Sequence, residues 1–339
     1  MRRLRYVLLA LLMVLGLAVF AAACGGDDDD GGGGSETGGT PAESDDVNLT
    51  QGQDITIAVI THGSGDSFWA VAKKGAEDAG KQMGVTVKYS ESANDPQKQA
   101  QLIDSAVTEK VDGIAVSAPD PDALREPLQK AADAGIPFIT LNSGAEDFAD
   151  LGAITHVGQT ESIAGEGAGA KFKEGGATKL LCVIHEQSNI GLNQRCDGAK
   201  KGFGGDVENL QVKGVDDIQT TLTEIQSKLQ ADTSIDAVLT LNPDIAVAAR
   251  DAIQGAGSEA KLATFDLSGD VVKAIQDGEI EFAVDQQQYL QGYLPVVFLA
   301  LNKTNANTVG GGQPVLTGPG FVTQDNAETV AQLAEAGTR

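Results

Sequence analysis

The chain has 339 residues, a formal net charge of −24 and only 4% aromatic residues. Nucleic-acid phosphates require a basic face, and no basic cluster occurs outside the first five residues, so the sequence argues against DNA or RNA as a partner. The acidity otherwise favours solubility and specifies no function.

The N-terminus has the pattern of an export signal. Three arginines within the first five residues precede an apolar run over 6–20, and three alanines lead to Cys24. A basic start, an apolar core and small residues before a cleavage site are typical of such signals, and the run is short for a membrane span. Cys24 after these alanines resembles a bacterial lipobox. We therefore predict a lipoprotein signal peptide over 1–24, with Cys24 lipidated.

Residues 25–52 have the composition of a tether. They are rich in glycine and acidic residues and have no apolar periodicity, so they cannot bury enough surface to offset chain entropy. We expect a disordered segment that holds the folded body away from the membrane.

The rest of the chain alternates short β-branched strands with helices. The first strand, ITIAVI at 55–60, precedes a helix whose apolar residues recur at helical spacing. Such alternation predicts parallel sheets with helices on both faces. Further strands are predicted at 85–89, 112–117, 136–142, 180–185, 210–215, 236–241 and 261–266.

An internal repeat favours two homologous domains. The segment DGIAVSAPD begins at Asp112 and DAVLTLNPD begins at Asp236, which follows it by 124 residues. The same offset pairs Asn142 with Asp266 at the ends of the next strands. Two β-α-β units can look alike by chance, but a gapless match of two strands and a shared Pro-Asp favours duplication.

Polar residues gather at the predicted carboxyl ends of the strands, where ligands bind in open parallel sheets. Two aromatic rings, Phe68 and Trp69, follow the first strand. Amides and carboxylates suit a polyhydroxylated molecule, and a ring can stack on the C–H face of a sugar. The polar set comprises His62, Asn142, Ser143, His185, Asn242, Asp266 and Gln286.

Several segments, in order, resemble the type I periplasmic sugar-binding proteins, most closely the ribose-binding receptors of ABC transporters. They are GDSFWAVAKKGAEDAGKQMGV, IPFITLN, NQRCDGAKKGF, TLNPDIAVAARDAI and ATFDLSGDVVKAIQDGEIEFAVDQQ. The resemblance implies an α/β fold of two doubly wound parallel-sheet domains joined by three crossovers, near 156–160, 285–289 and 314–319. It divides the body into an N-terminal lobe of 53–157 plus 288–314 and a C-terminal lobe of 158–287 plus 315–339.

The resemblance also implies ligand contacts. Ribose binders carry an Asp-Arg pair where this chain has Asn142 and Ser143, so a charge-assisted contact is missing and ribose is disfavoured as the ligand. Another monosaccharide, a cyclitol or a sugar derivative fits better, with His62, His185 and Glu186 as additional polar contacts. Arg195 is expected either to pair with Asp266 or to meet a ligand carboxylate. The implied contacts are Asp66, Phe68, Trp69, Asn142, Ser143, Arg195, Asn242, Asp266 and Gln286.

The implied function is capture of a monosaccharide or related polyol in the cleft between the lobes and its delivery to an ABC transporter permease. The family implies a hinge closure around the ligand, and we expect a monomer anchored outside the cytoplasm through its lipid, without a cofactor. A ligand-sensing receptor that signals to a membrane partner is the alternative, because it would use the same cleft.

An enzyme or a zinc protein has weaker support in the sequence. No nucleophile-elbow or P-loop motif indicates an enzyme. A zinc site would need residues from His62, His156, His185 and Glu186, whose spacing is not local.

Two cysteines, Cys182 and Cys196, remain once Cys24 is set aside. They can form a disulfide outside the cytoplasm or remain two buried thiols, and the sequence leaves both open.

Overall fold

The computed structural model describes residues 54–339. The predicted signal peptide, Cys24 and the predicted tether lie outside the described residues. Between residues 54 and 339, no helix combines the length and the hydropathy that crossing a bilayer requires.

Strands and helices alternate along the described chain as far as the last strand pair, which has no helix between its members. The first part contains β1 (Thr56–Thr61), α1 (Ser67–Met83), β2 (Thr86–Glu91), α2 (Pro96–Glu109), β3 (Gly113–Ser117), α3 (Pro121–Asp133), β4 (Phe138–Asn142), α4 (Phe148–Leu151) and β5 (His156–Gly158). The second contains α5 (Glu161–Glu174), β6 (Lys179–Ile184), α6 (Ile190–Phe203), β7 (Asp206–Gln211), α7 (Ile218–Ala231), β8 (Ala237–Thr240), α8 (Pro243–Ala256), β9 (Lys261–Phe265), α9 (Gly269–Asp277) and β10 (Phe282–Asp285). The chain continues with α10 (Gln288–Asn305), β11 (Val315–Leu316), β12 (Gly320–Thr323) and α11 (Ala327–Glu335).

The strands form two six-stranded sheets with equivalent orders. The first sheet runs β11-β5-β4-β3-β1-β2, and all its strands are parallel. The second runs β12-β10-β9-β8-β6-β7, and only β12 is antiparallel. This is the predicted α/β architecture of two doubly wound sheets. We call each sheet with its helices the N-terminal and the C-terminal lobe.

The central strands of each sheet are buried on both faces, which explains why they are nearly continuous apolar runs, whereas the edge strands β2 and β7 are partly exposed and more polar. In the N-terminal lobe, α1 and α10 cover one face, and α2 and α3 cover the other. In the C-terminal lobe, α5 and α6 cover one face, and α7, α8, α9 and α11 cover the other. Because the strands of each sheet are parallel apart from β12, their carboxyl ends lie together at one edge of the sheet.

Helix N-caps place polar side chains at that edge. Asp66 accepts a hydrogen bond from the Trp69 backbone N–H and begins α1, and Asn242 begins α8. Asn189 accepts from the Gly191 N–H and begins α6. A short oxygen-bearing side chain satisfies the otherwise unpaired N–H groups of the first turn.

The chain crosses between the lobes three times, after β5, after β10 and between β11 and β12. These crossings lie inside the ranges expected from the sequence. Two predicted lobe boundaries need correction. Gly158 pairs with Asn142 in the first sheet, and residues 315–316 pair with β5 in that sheet, although the predicted boundaries assign all three to the C-terminal lobe. A two-residue strand is too short to leave a periodic signal in the sequence.

A disulfide joins Cys182 on β6 to Cys196 on α6. Both residues are buried. The sequence leaves open whether they pair, and in the structure they are bridged. The bond ties the helix that carries Arg195 to the strand that ends before His185 and Glu186.

Candidate ligand-binding cleft

A cavity lies between the two lobes at the carboxyl ends of the strands. Polar and aromatic side chains from both lobes line it, and it remains partly open to solvent. The N-terminal lobe contributes His62, Asp66, Phe68, Trp69 and Asn142 to its wall. The C-terminal lobe contributes His185, Glu186, Asn189, Leu192, Arg195, Leu241, Asn242, Asp266 and Gln286.

The structure brings together all the residues predicted as ligand contacts except Ser143. The Ser143 hydroxyl is buried and donates to Asn142 Oδ1 at 2.9 Å, so it orients a lining side chain without lining the cavity itself. Sequence reasoning missed Asn189, Leu192 and Leu241. Asn189 had a readable signal, because an asparagine before an apolar helix is a typical N-cap.

An aromatic corner forms the wall on the N-terminal lobe. The Trp69 ring meets Phe68 and His62 edge to face, with both centroid separations at 4.9 Å. Phe68 and Trp69 also belong to the core under β1, and Trp69 is only 3% exposed. A Cβ at Gly63 would lie 1.9 Å from Trp69 Nε1, so a residue without a side chain is required there. The rings are therefore held rigidly at the cavity.

Asp66 links the two lobes. Its Oδ2 accepts from Asn242 Nδ2 at 3.0 Å across the cleft, while its Oδ1 caps α1. Burial raises the pKa of the Asp66 carboxyl to about 7, against the lowering effect of the Trp69 N–H.

A second link across the cleft involves His62. Its Nε2 lies 3.4 Å from Glu186 Oε2 and 3.3 Å from Asn189 Nδ2, and its Nδ1 contacts the Ser117 hydroxyl at 2.8 Å. Burial opposes ionisation of Glu186, but His62 and the hydrogen bond from Asn189 hold the pKa of Glu186 well below its usual range. Glu186 is thus an anionic hydrogen-bond acceptor at the cavity.

Arg195 is buried in the wall and is already paired. Its Nε and Nη2 donate to the two carboxylate oxygens of Glu161, at 2.6 and 3.1 Å. Its Nη1 donates to Leu241 O at 3.3 Å and lies 4.0 Å from Asp266 Oδ2. The guanidinium also lies over the Phe265 ring, 4.5 Å from its centroid. Of the two partners expected for Arg195, Asp266 is only a distant one.

Asn142 and Asp266 occupy equivalent positions in the two lobes. Asn142 is the last residue of β4 and Asp266 directly follows β9, and each has a left-handed backbone, with φ of 59° and 71°. A positive φ is uncommon for residues other than glycine, and such residues cluster at ligand-binding and active sites. Gln286 connects the pair, since it donates to Asp266 Oδ1 at 2.8 Å and accepts from Asn142 Nδ2 at 3.4 Å.

Burial raises the pKa of Asp266 to about 8, although the nearby Arg195 opposes the shift. His185 also lines the cavity, and burial lowers its pKa, so it is an uncharged imidazole. A protonated Asp266 and a neutral His185 therefore offer the ligand hydrogen-bond donors and acceptors without a net charge.

The lobes are closed on each other. At the cleft rim, both the N–H and the hydroxyl of Ser67 donate to Asp244, at 3.2 and 2.8 Å. Ser67 begins α1 and Asp244 lies in the first turn of α8, and neither lines the cavity. This contact stabilises the closed arrangement of the lobes without forming part of the cavity wall.

The residues considered for zinc are not assembled into a site. His156 lies within β5, bonds through Nδ1 to the Thr140 hydroxyl and does not line the cavity. In residues 54–339, no group of three histidine, cysteine, aspartate or glutamate side chains is placed to hold a metal ion.

The family model described as a periplasmic binding protein domain matches residues 57–304. The chain belongs to this periplasmic binding protein family. Members resemble it over most of its length: the ribose import binding protein of Bacillus subtilis is 24% identical over 246 residues, which are 71% of this chain and 79% of that protein.

A solved member of the periplasmic binding protein fold is more similar. The carbohydrate transporter of Acidothermus cellulolyticus 11B, in complex with myo-inositol, is 44% identical, with a TM-score of 0.83 over 85% of this chain and all (100%) of that chain. An Actinobacillus succinogenes solute-binding protein with bound D-allose shares the fold, at 20% identity, a TM-score of 0.72 and coverage of 81% of this chain and 100% of that one. The type I periplasmic sugar-binding resemblance is therefore confirmed.

Proposed function

We propose that this protein captures a cyclitol, with myo-inositol as the first candidate, or a closely related monosaccharide, and delivers it to an ABC importer. The observation that carries the proposal is the cavity between the two lobes, where amide, carboxyl and imidazole groups surround an aromatic corner. The relative at 44% identity in complex with myo-inositol supports a cyclitol in particular.

The chemistry of the wall fits such a ligand. Each hydroxyl of a cyclitol both donates and accepts, and Asn142, Asn242, Gln286 and Asp266 offer both functions in a buried setting. Trp69 provides an apolar surface for the C–H face of a ring. A ligand with one hydroxyl misplaced would leave a buried partner unpaired, at a cost of about 1–3 kcal/mol.

Residues outside the described part of the chain complete the proposal. Cys24 carries the lipid, residues 25–52 act as the tether, and the body works as a monomer that presents its closed shape to the permease. The ligand favours the closed state because it contacts both lobes at once, and the hinge lies at the three crossings.

Isothermal titration calorimetry with a panel of cyclitols and monosaccharides tests the ligand. We expect myo-inositol or a stereoisomer to bind with a Kd of about 1 μM, about −8 kcal/mol, because capture followed by release needs only this affinity. Ribose should bind at least about tenfold more weakly, since Asn142 and Ser143 lack the charged pair of ribose binders. A panel without any binding would refute the proposed function.

A further inference from the structure

The charge of Arg195 is neutralised from behind the cavity wall. Glu161 is 4% exposed and does not line the cavity, yet its carboxylate takes both Nε and Nη2 of Arg195. Gln159 Nε2 donates to Glu161 Oε2 at 3.0 Å and orients the carboxylate further. A fork-to-fork pair of this kind fixes both geometry and charge.

The packing of two helices holds this pair in place. A Cβ at Gly165 on α5 would lie 2.0 Å from Arg195 O, and a Cβ at Gly198 on α6 would lie 2.2 Å from Ser162 O. The backbones therefore approach closely because both helices present glycine at the contact. Glu161, at the start of α5, is thereby kept against Arg195.

Besides Arg195, the ionisable side chains that line the cavity are two histidines and three carboxyls. Asp66, Glu186 and Asp266 line it, while the only lining guanidinium, within residues 54–339, belongs to Arg195. With Glu161 in place, an anionic ligand would meet the Glu186 carboxylate, which already faces His62, and a guanidinium whose charge is already compensated. Without Glu161, Arg195 would become a buried cation facing the ligand, with Asp266 as its remaining acidic neighbour at 4.0 Å.

We propose that Glu161 is a positioning residue that sets the charge selectivity of the cavity: by neutralising Arg195, it makes the site reject anionic ligands. This inference rests on the proposed function, because it assigns the cavity to uncharged polyols. Arg195 keeps N–H groups that can donate to a hydroxyl, so it contributes a hydrogen bond and not a net charge.

The test compares wild type, Glu161→Gln and the double variant Glu161→Gln with Arg195→Gln, using sodium formate as a small anionic probe. The matched control is Glu166→Gln. Glu166 also lies on α5 and pairs with a cation of α6, Lys201, at 2.6 Å, but this pair is exposed. Thermal unfolding and calorimetric titration with myo-inositol are measured with and without formate at constant ionic strength.

We expect about 100 mM formate to raise the unfolding midpoint of Glu161→Gln by about 2 °C or more, and to weaken its myo-inositol binding competitively. Wild type, the Glu166→Gln control and the double variant should show neither effect. A purely structural role for Glu161 would lower stability and affinity without creating a response to formate. Glu161→Gln that ignores formate would overturn the proposal.

A second measurement covers the case in which Glu161→Gln does not fold. Wild type is titrated with D-glucose, D-galactose and their uronic acids, which replace a hydroxymethyl group by a carboxylate. The uronates, and formate as a competitor, should bind at least about tenfold more weakly than any neutral ligand. Tight uronate or formate binding to wild type would overturn the inference and leave polyol capture standing. Absence of all neutral binding would instead refute the proposed function.

Discussion

At the scale of single residues, the site is built from side chains that serve the fold and the cavity together. Trp69 packs in the core of the N-terminal lobe and also faces the cavity, and Asp66 caps a helix while it contacts the other lobe. Substitutions at such residues therefore change both stability and binding, and the two effects must be measured separately.

Replacement of Trp69 by alanine illustrates this double role. We expect Trp69→Ala to lower the free energy of unfolding by about 3 kcal/mol or more, because a large buried ring is lost, and to weaken polyol binding more than about tenfold. Trp69→Phe should retain most of the stability and show an intermediate affinity. Denaturant unfolding and calorimetry measure the two quantities, and unchanged affinity in Trp69→Ala would contradict a ligand contact.

The contact between Ser67 and Asp244 allows closure to be tested without altering the cavity wall. Ser67→Ala should speed ligand release several-fold, by about 1 kcal/mol of lost hydrogen bonding, with little change in association. The control is Ser105→Ala, since the Ser105 hydroxyl donates to Gln101 O on the exposed face of α2. Surface plasmon resonance or stopped-flow competition measures the rates; equal release rates would show that the rim contact does not hold the closed state.

At the scale of elements, glycine at helix contacts decides the geometry of the cleft. In the N-terminal lobe, Cβ atoms at Gly75 and Gly292 would lie 2.2 and 1.8 Å from backbone oxygens of the facing helix, which parallels the contact between α5 and α6. Each lobe thus places one helix pair in close contact beside the cavity. The glycines of the segment AGEGAGA have a packing role that composition alone does not reveal.

Gly165→Ala is the corresponding prediction. Because the new Cβ would meet Arg195 O, α5 and α6 must separate, and we expect a loss of about 1–3 kcal/mol in the free energy of unfolding together with weaker ligand binding. Gly175→Ala, at the end of the same helix, brings its Cβ no closer than 3.4 Å to any atom and should be nearly neutral. Equal effects of the two changes in chemical denaturation would rule out the close-packing argument.

The sequence predicted most of the strands and helices, but it predicted less about the contacts between them. Apolar runs that alternate with helices identified the strands. The 124-residue offset predicted that Asn142 and Asp266 are equivalent, and both residues have a left-handed backbone in the structure. Glu161 escaped prediction because no local pattern relates it to Arg195; the pair exists only where two helices pack. The two-residue β11 escaped for a similar reason, since it is defined by its partner strand.

At the scale of the whole molecule, buried titratable groups make stability depend on pH. Burial raises the pKa of Asp66 to about 7 and that of Asp266 to about 8, so the folded protein binds more protons than the unfolded chain between about pH 4 and pH 8. Acidification from about pH 8 therefore stabilises the fold. Burial lowers the pKa of His156 to about 3 and that of His185 as well, so below about pH 6.5 these histidines favour the unfolded chain.

We therefore expect the unfolding midpoint to rise as the pH falls from about 8.5 to about 6.5, and to change little below that, where the two contributions oppose each other. Asp266→Asn should reduce the rise, while Asp122→Asn, at a side chain that is 94% exposed, should not. Differential scanning calorimetry across this range measures the effect. A midpoint that falls on acidification from 8.5 would contradict the assigned directions.

Trp69 is the sole tryptophan of the chain, and it stands in the cavity wall. All indole emission of the protein therefore originates at the place where the ligand is expected to arrive. Trp69 is therefore an intrinsic fluorescent probe. Ligand binding, closure of the lobes and ligand release can be followed in real time on unlabelled protein, and Trp69→Phe, which lacks indole emission, is the control.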